Sequence, residues 1–386
     1  MKPKTIKLIA AGLFCFLCAS SLLAQRINVV TTAVPFLRIS PDARAGGMGD
    51  AGLATEADAS SIFWNLAKIP FAKSNNAAAV TYTPWLRDLQ VNDVFLGTLS
   101  GYHKLSETEA ISASLRYFSL GKITFTDFSG QTLFDGNPRE FAFDAGYSRK
   151  LSDKAGLGIA LRYIHSNLVG NAPIQGQSYK PGNAVAGDIS FYYNGVSEAG
   201  TGWSFGAAAT NLGSKISYTS DAQTKDYIPA NLGVGTAYTK QIDETNKITF
   251  ALDLNKLLVP TPNDTTPAGI TAYRNKSVAS SWISSLGDGE DFKEITFSLG
   301  AEYTYNEQFT LRAGYFYEDK TKGNRKYFTV GAGLKYNVFG LNLSYLVPSG
   351  NGVNRNPLSN TLRFSLIFDL DNIGKGEGTT TTTTDN

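Results

Sequence analysis

Thr361–Leu370 reads TLRFSLIFDL. Leu362, Phe364, Leu366, Phe368 and Leu370 fall on one face of an extended chain. Thr361, Arg363, Ser365 and Asp369 fall on the other, with Ile367 the exception. Successive side chains of a strand point to opposite sides, so a period of two produces this sorting. Five large apolar residues opposite an arginine and an aspartate suit a wall with hydrocarbon outside and a wet lumen inside.

The same alternation runs back through the chain. Phe328, Val330, Ala332, Leu334 and Tyr336 oppose Thr329, Gly331, Gly333 and Lys335. Ile295, Phe297, Leu299, Ala301 and Tyr303 oppose Thr296, Ser298, Gly300 and Glu302, and Ile111, Ala113, Leu115 and Tyr117 oppose Ser112, Ser114 and Arg116. Between Ala77 and Leu370 about fourteen such segments are expected. An even number lets an antiparallel sheet close with no free edge, as in a transmembrane outer-membrane β-barrel. The connections sort by length. Those near Ser106, Ser152, Gly195, Asp243, Asn306 and Asn337 are short, whereas Leu120–Pro138, Leu168–Gly182, Gly213–Pro229 and Val259–Lys293 are long. Tight periplasmic turns alternating with extended outer loops produce this order, with both termini in the periplasm. A water-soluble sandwich has no reason to sort its loops.

The first residues read as a targeting segment. Lys2, Lys4 and Lys7 precede the apolar run Leu8–Ala19, which is too short to span a bilayer, and a cleavage site follows at Ala24. A signal peptide is therefore expected over residues 1–24. Both cysteines, Cys15 and Cys18, lie inside it, so the mature chain is expected to hold no disulfide and no thiolate. Loss of the three lysines takes the formal charge from +2 to −1, which offers nucleic acid no basic field. Residues 25–76 show no strand alternation. Their central stretch, PFLRISPDARAGGMGDAGLATEADASSIFWNLAKI from Pro35 to Ile69, is rich in glycine, alanine and charge. It is expected to fold as a hatch inside a barrel formed by 77–370. Its charges, Asp42, Arg44, Asp50, Glu56 and Asp58, are expected to pair with inward-facing Arg116, Arg162, Arg312, Arg363 and Glu302, because a lone buried charge is costly. The tail over 371–386, ending in TTTTTTDN, is polar and low in complexity, and disorder is expected there.

The run Ala43–Asp50, ARAGGMGD, followed by Asp58–Ile69 with Trp64 and Asn65, resembles the hatch of the FadL-like outer-membrane family. Leu66 stands where that family carries a proline, and Asp50 replaces a glycine. Together with Tyr82–Leu86, YTPWL, the block PFLRISPDARAGGMGD is similar to one branch, the PorV outer-membrane proteins of the type IX secretion system of Bacteroidota. The resemblance implies hatch roles for Arg44, Met48, Asp50, Asp58, Trp64 and Asn65. It implies a cargo shuttle without transport chemistry. Its partners would be the type IX translocon barrel, the C-terminal β-sandwich domains of secreted cargo, a sortase-like attachment component and outer-membrane lipid. The wider family implies an alternative, a channel for uptake of hydrophobic small molecules.

Large apolar residues on the long loops, which lipid does not explain, are candidate partner contacts: Trp85, Leu86, Phe128, Phe134, Tyr179, Tyr227 and Trp282. Catalysis finds little support. A barrel hydrolase needs a nucleophile and a base in hydrogen-bond reach. The chain has two histidines; His103 lies at a strand end, and His165 and Ser166, adjacent on one strand, point to opposite faces. No metal-ligand cluster or phosphate-binding loop stands out, and no cofactor is expected.

Overall fold

The computed structural model describes residues 30–87, 90–170, 173–174, 177–220, 225–261, 266–287, 291–347, 358 and 360–372. The signal segment expected over 1–24, the start of the hatch at 25–29 and the tail beyond 372 lie outside the described residues.

Fourteen antiparallel strands close into one barrel. They are β1 (Asn76–Pro84), β2 (Val94–Lys104), β3 (Glu109–Leu120), β4 (Arg139–Lys150), β5 (Ala155–Asn167), β6 (Gly182–Asn194) and β7 (Gly202–Gly213). The second half comprises β8 (Asn231–Gln241), β9 (Asn246–Leu257), β10 (Ile295–Tyr305), β11 (Phe309–Tyr317), β12 (Lys326–Tyr336), β13 (Phe339–Val347) and β14 (Leu362–Asp369). Each strand pairs with the next in sequence, and β14 returns to β1 with Ala77 opposite Asp369 and Tyr82 opposite Phe364. Closure leaves no unpaired edge, the condition for backbone in hydrocarbon.

The alternation follows the expected faces. Leu161 is 71% exposed, whereas Arg162, the next residue, is 3% exposed. Leu99, Leu115, Leu299, Leu311 and Leu366 face out; Thr98, Ser100, Glu302, Arg312, Arg363 and Ser365 are buried. Outward aromatics pair across strands, as in Tyr315 with Phe328 at 4.7 Å and Trp203 with Tyr238 at 4.9 Å. Ile367, the exception in the period, packs inward against a hatch cluster that includes Ile62, Leu66 and Ile69.

Loop lengths alternate as the sequence indicates. The short turns reverse the chain with residues that tolerate positive φ: Asn306 at +52° with Glu307 at +54°, and Asn337 at +52°. At the opposite end the long connections carry their own structure. Ile123–Thr126 pairs with Thr132–Gly136 as a projecting hairpin, and the β9–β10 connection holds helices Pro267–Asn275 and Val278–Ser284. No described helix is long and apolar enough to cross a membrane.

The N-terminal segment lies inside the barrel. Pro35–Arg38 and Leu66–Phe71 form 3-10 turns, and Ala43–Gly46 and Ser61–Trp64 form single helical turns. Asp42 caps the first helical turn by accepting from the Ala45 N–H at 2.9 Å. Inward glycines make room for it. A Cβ at Gly300 would stand 2.7 Å from Met48, and one at Gly314 would land on the backbone of Met48 and Gly49. The start of the polar tail is ordered, contrary to the expected boundary at 371. The Asp371 carboxylate accepts from the Asn75 N–H at 2.5 Å and the Asn76 side chain at 2.8 Å, which ties it to the first residue of β1.

Candidate functional site

The hatch fills the half of the lumen nearest the short turns, and its first described residues run on to the long-loop end, where the Ala33 N–H donates to the Tyr227 carbonyl at 2.9 Å. At the short-turn end Lys73 bridges Glu56 and Glu307, each at 3.0 Å, and Lys247 reaches Glu307 at 2.8 Å. Deeper in, Arg44 grips Glu302 with Nε at 2.9 Å and Nη2 at 2.8 Å, and its Nη1 meets Asp58 at 3.0 Å and the Glu56 carbonyl at 2.9 Å. Arg312 shares Glu302 from the other side at 2.7 Å. Two guanidiniums on one carboxylate satisfy its lone pairs without water. Met48 is fully buried among Ala51, Ala54, Ala237 and Ala251. The Asn65 amide donates to the Leu53 and Phe191 carbonyls, each at 2.9 Å, and so ties the hatch to itself and to β6. Asp253 accepts from the Gly52 and Leu53 N–H groups at 2.7 and 2.8 Å.

The expected pairing of hatch charges with luminal charges holds for Arg44, Asp50 and Glu56, the last meeting inward-facing Lys247 at 3.4 Å, and fails for Asp42 and for Asp58, which pairs with Arg44 within the hatch. Arg44 meets Glu302. Asp50 accepts from the Tyr327 hydroxyl at 2.6 Å and lies 3.9 Å from Arg363. Asp42 finds no inward arginine; its partner is the Trp64 indole N–H at 2.7 Å. Arg162 is held by Asp144, Asp188 and Asn211, so this charge is satisfied within the strands, whereas Arg116 keeps only a 3.6 Å contact with Asp144.

Above the hatch, at the long-loop end, lies a chamber of about 880 Å³. Its floor is the hatch, from Pro35 to Pro41 with Asp50, Leu53, Phe63 and Trp64. One wall is apolar and includes Trp85, Leu86, Val91, Val94, Phe118 and Leu120. The facing wall is amide and hydroxyl: Asn211, Asn231, Asn255, Thr296 and Ser298. Arg38, Arg116, Arg325 and Arg363 also line it, against the single carboxylate of Asp50. Glu318 stands behind two of these arginines, taking Arg325 at 2.8 Å and Arg38 at 3.6 Å. Burial alone would raise the Glu318 pKa, but the Arg325 contact and the nearby Arg38 charge hold it below the usual carboxylate value.

The loop residues expected to meet a partner divide three ways. Trp85 and Leu86 line the chamber and are half-buried. Phe128 stands at the hairpin tip, 93% exposed, while Phe134 stacks on Phe125 at 4.8 Å and Tyr179 is half-buried. Tyr227 is a correction, because it is 3% exposed. Its hydroxyl lies 2.9 Å from the Lys276 carbonyl and accepts from Ser281 at 2.8 Å, and Lys215 sits 4.1 Å from its ring centre. Tyr227 therefore pins the helical loop to the barrel rather than facing a partner. A long loop packs on its own side chains, and an aromatic is the natural anchor. On that loop Trp282 is half-buried, whereas Ile283, Leu286 and Phe292 are 75%, 51% and 89% exposed. The i, i+3 spacing of Ile283 and Leu286 within the long connection was the available sequence signal for this exposed face.

His165 Nδ1 meets the Asn183 amide oxygen at 2.8 Å, whereas the Ser166 hydroxyl donates to Glu140 at 2.6 Å on the inner face. His103 meets Asn76 at 2.5 Å. Neither histidine approaches a hydroxyl nucleophile.

The model of the family described as "Type IX secretion system protein PorV" matches residues 22–264. No curated protein sequence matches the chain. Among solved structures, the TodX deltaS2S3 mutant monoaromatic hydrocarbon channel is similar at a TM-score of 0.51 and 13% identity, covering 84% of this chain and 97% of that one. The CymD monoaromatic hydrocarbon channel is similar at 0.50 and 11% identity, covering 88% and 99%. The Ralstonia pickettii toluene transporter TbuX gives a TM-score of 0.49 at 12% identity, covering 85% and 97%. At these identities the likeness to solved structures is one of fold. The family match spans more than half the chain and agrees with the closed barrel and its inserted hatch: the chain belongs to the PorV family of type IX secretion system outer-membrane proteins.

Proposed function

We propose that this barrel receives secreted proteins as they leave the type IX translocon and hands them to the attachment machinery at the cell surface. The observation that carries the reading is the combination of a hatch packed tightly across the short-turn half of the lumen with an open, mixed-polarity chamber and projecting apolar loops at the other end. A sealed cup with a dressed rim suits a receptor for a folded domain better than a conduit. In this reading the long loops face outward, the C-terminus is periplasmic, and the partners are the translocon barrel, the C-terminal domain of cargo and a sortase-like component. Phe128, Ile283, Leu286 and Phe292 are the rim contacts. Deletion of the gene tests it: cargo should accumulate inside the cell with its C-terminal domain uncleaved. Normal surface delivery and processing in the deletion strain would refute it.

A second reading, passage of hydrophobic small molecules, draws support from the apolar wall of the chamber and from barrels of like fold that carry monoaromatic hydrocarbons. It requires an opening past Met48 and the Arg44–Glu302 pair. A hydrocarbon uptake rate unchanged by the gene's deletion would remove it.

A further inference from the structure

Two buried arginines of the chamber have incomplete hydrogen bonds, Arg363 beside Asp50 and Arg116 on the apolar side. Arg116, 3% exposed, places Nη1 on the Leu37 carbonyl at 3.2 Å. Its Nε and Nη2 have no hydrogen-bond partner. Asp144 lies 3.6 Å from Nη2 but gives its close contacts to Arg162 and to Ser114. Nε and Nη2 form the edge with which arginine grips a carboxylate in a fork. Buried donors of this kind are rare in native proteins and call for an acceptor. The ring of Phe63 covers the guanidinium with its centre 5.2 Å away. Phe63 is half-buried and belongs to the chamber floor.

The surroundings define what the acceptor is attached to. Phe118 and Leu120 follow Arg116 on the inward face of β3, and Val94 and Trp85 continue the apolar wall. Across the chamber, Asn231 and Asn255 bond each other at 2.9 Å, and the buried Ser298 hydroxyl has no partner. An alkyl chain has no use for that second wall, whereas a peptide backbone does. The volume holds several amino-acid residues, and the hatch forms its floor.

We infer that the chamber receives the C-terminal residues of a secreted polypeptide, with the terminal carboxylate on the Nε–Nη2 edge of Arg116 and apolar side chains against Val94, Phe118 and Leu120. The inference rests on the docking function proposed above and assigns that function an anchoring point within the lumen.

The test uses the full-length barrel in detergent and a purified type IX C-terminal domain, prepared as the free acid and as the C-terminal carboxamide. The acid should bind at least about tenfold more tightly than the amide. Arg116→Gln should weaken the acid by about the same factor and leave the amide unchanged, while Arg363→Gln, on the Asp50 side of the chamber, should preserve the ratio. Equal binding of acid and amide to the unaltered barrel overturns the inference and leaves docking intact. Binding by neither form overturns docking and the inference together. Arg116-dependent binding of decanoate, with no difference between the two domain forms, would assign the site to a free amphiphile and also overturn it. The acid–amide comparison needs no variant, so a folding defect in Arg116→Gln does not blunt it.

Discussion

Arg44 is the residue on which the hatch depends most. It satisfies Glu302, Asp58 and a hatch carbonyl at once, and Glu302 is buried. Removing one member of such a buried set leaves its partners charged and unpaired. Arg44→Ala is expected to cost about 3–5 kcal/mol, read by denaturant unfolding of the refolded barrel in detergent. Gly314 acts through shape rather than charge. A methyl group there collides with backbone of Met48 and Gly49, and Gly49 itself sits at φ +66°. Neither backbone has slack, so Gly314→Ala should unseat the hatch while the barrel stays closed. Limited proteolysis should then cut between residues 41 and 66 in the variant, with heat-modifiable gel mobility retained. An uncut variant would show that the hatch tolerates the methyl group. Little of this was legible beforehand. The charge-rich run marked a hatch, but Arg44 and Glu302 are 258 residues apart, and only the barrel register brings them together.

At the scale of elements, the chain near Arg38 and the β11–β12 connection are clasped by Glu318. The carboxylate binds Arg325 in a fork at 2.8 Å through both oxygens and also reaches Arg38. Its pKa is lowered in the folded protein, so its stabilising contribution is complete above the ordinary carboxylate pKa of about 4.3. That contribution is lost only as the pH falls through the lower folded value. Hydrogen exchange should therefore show Arg38 and the 318–325 connection protected alike at about pH 7 and about pH 5, with protection falling only at lower pH. Loss already at pH 5 would mean that the clasp contributes little. Strands were the most legible elements, because one lipid-facing side imposes a period that single residues cannot hide. Loops were the least legible. Tyr227 and Phe128 look alike in sequence, yet one is a buried pin and the other an exposed tip.

At the scale of the whole molecule, the sorting of loops by length orients the barrel. The proposed outward position of the long loops has a direct check, since both cysteines lie in the expected signal peptide. Phe128→Cys would then be the only thiol of the mature chain, at a site 93% exposed. A membrane-impermeant maleimide should label it on intact cells. Labelling only after the envelope is broken would reverse the proposed orientation.

The sequence by itself determined the closed all-β wall, the number of its strands, the face each residue takes, the alternation of short and long connections and the presence of a hatch. These are local properties, written in a period of two and in where that period stops. Only the tertiary structure decided which hatch charge meets which strand, that Arg162 belongs to the strands' own acids, that Tyr227 is buried, and that a chamber remains above the hatch. Those outcomes depend on register and closure among strands hundreds of residues apart, and no local pattern records how the far side of a barrel will be aligned.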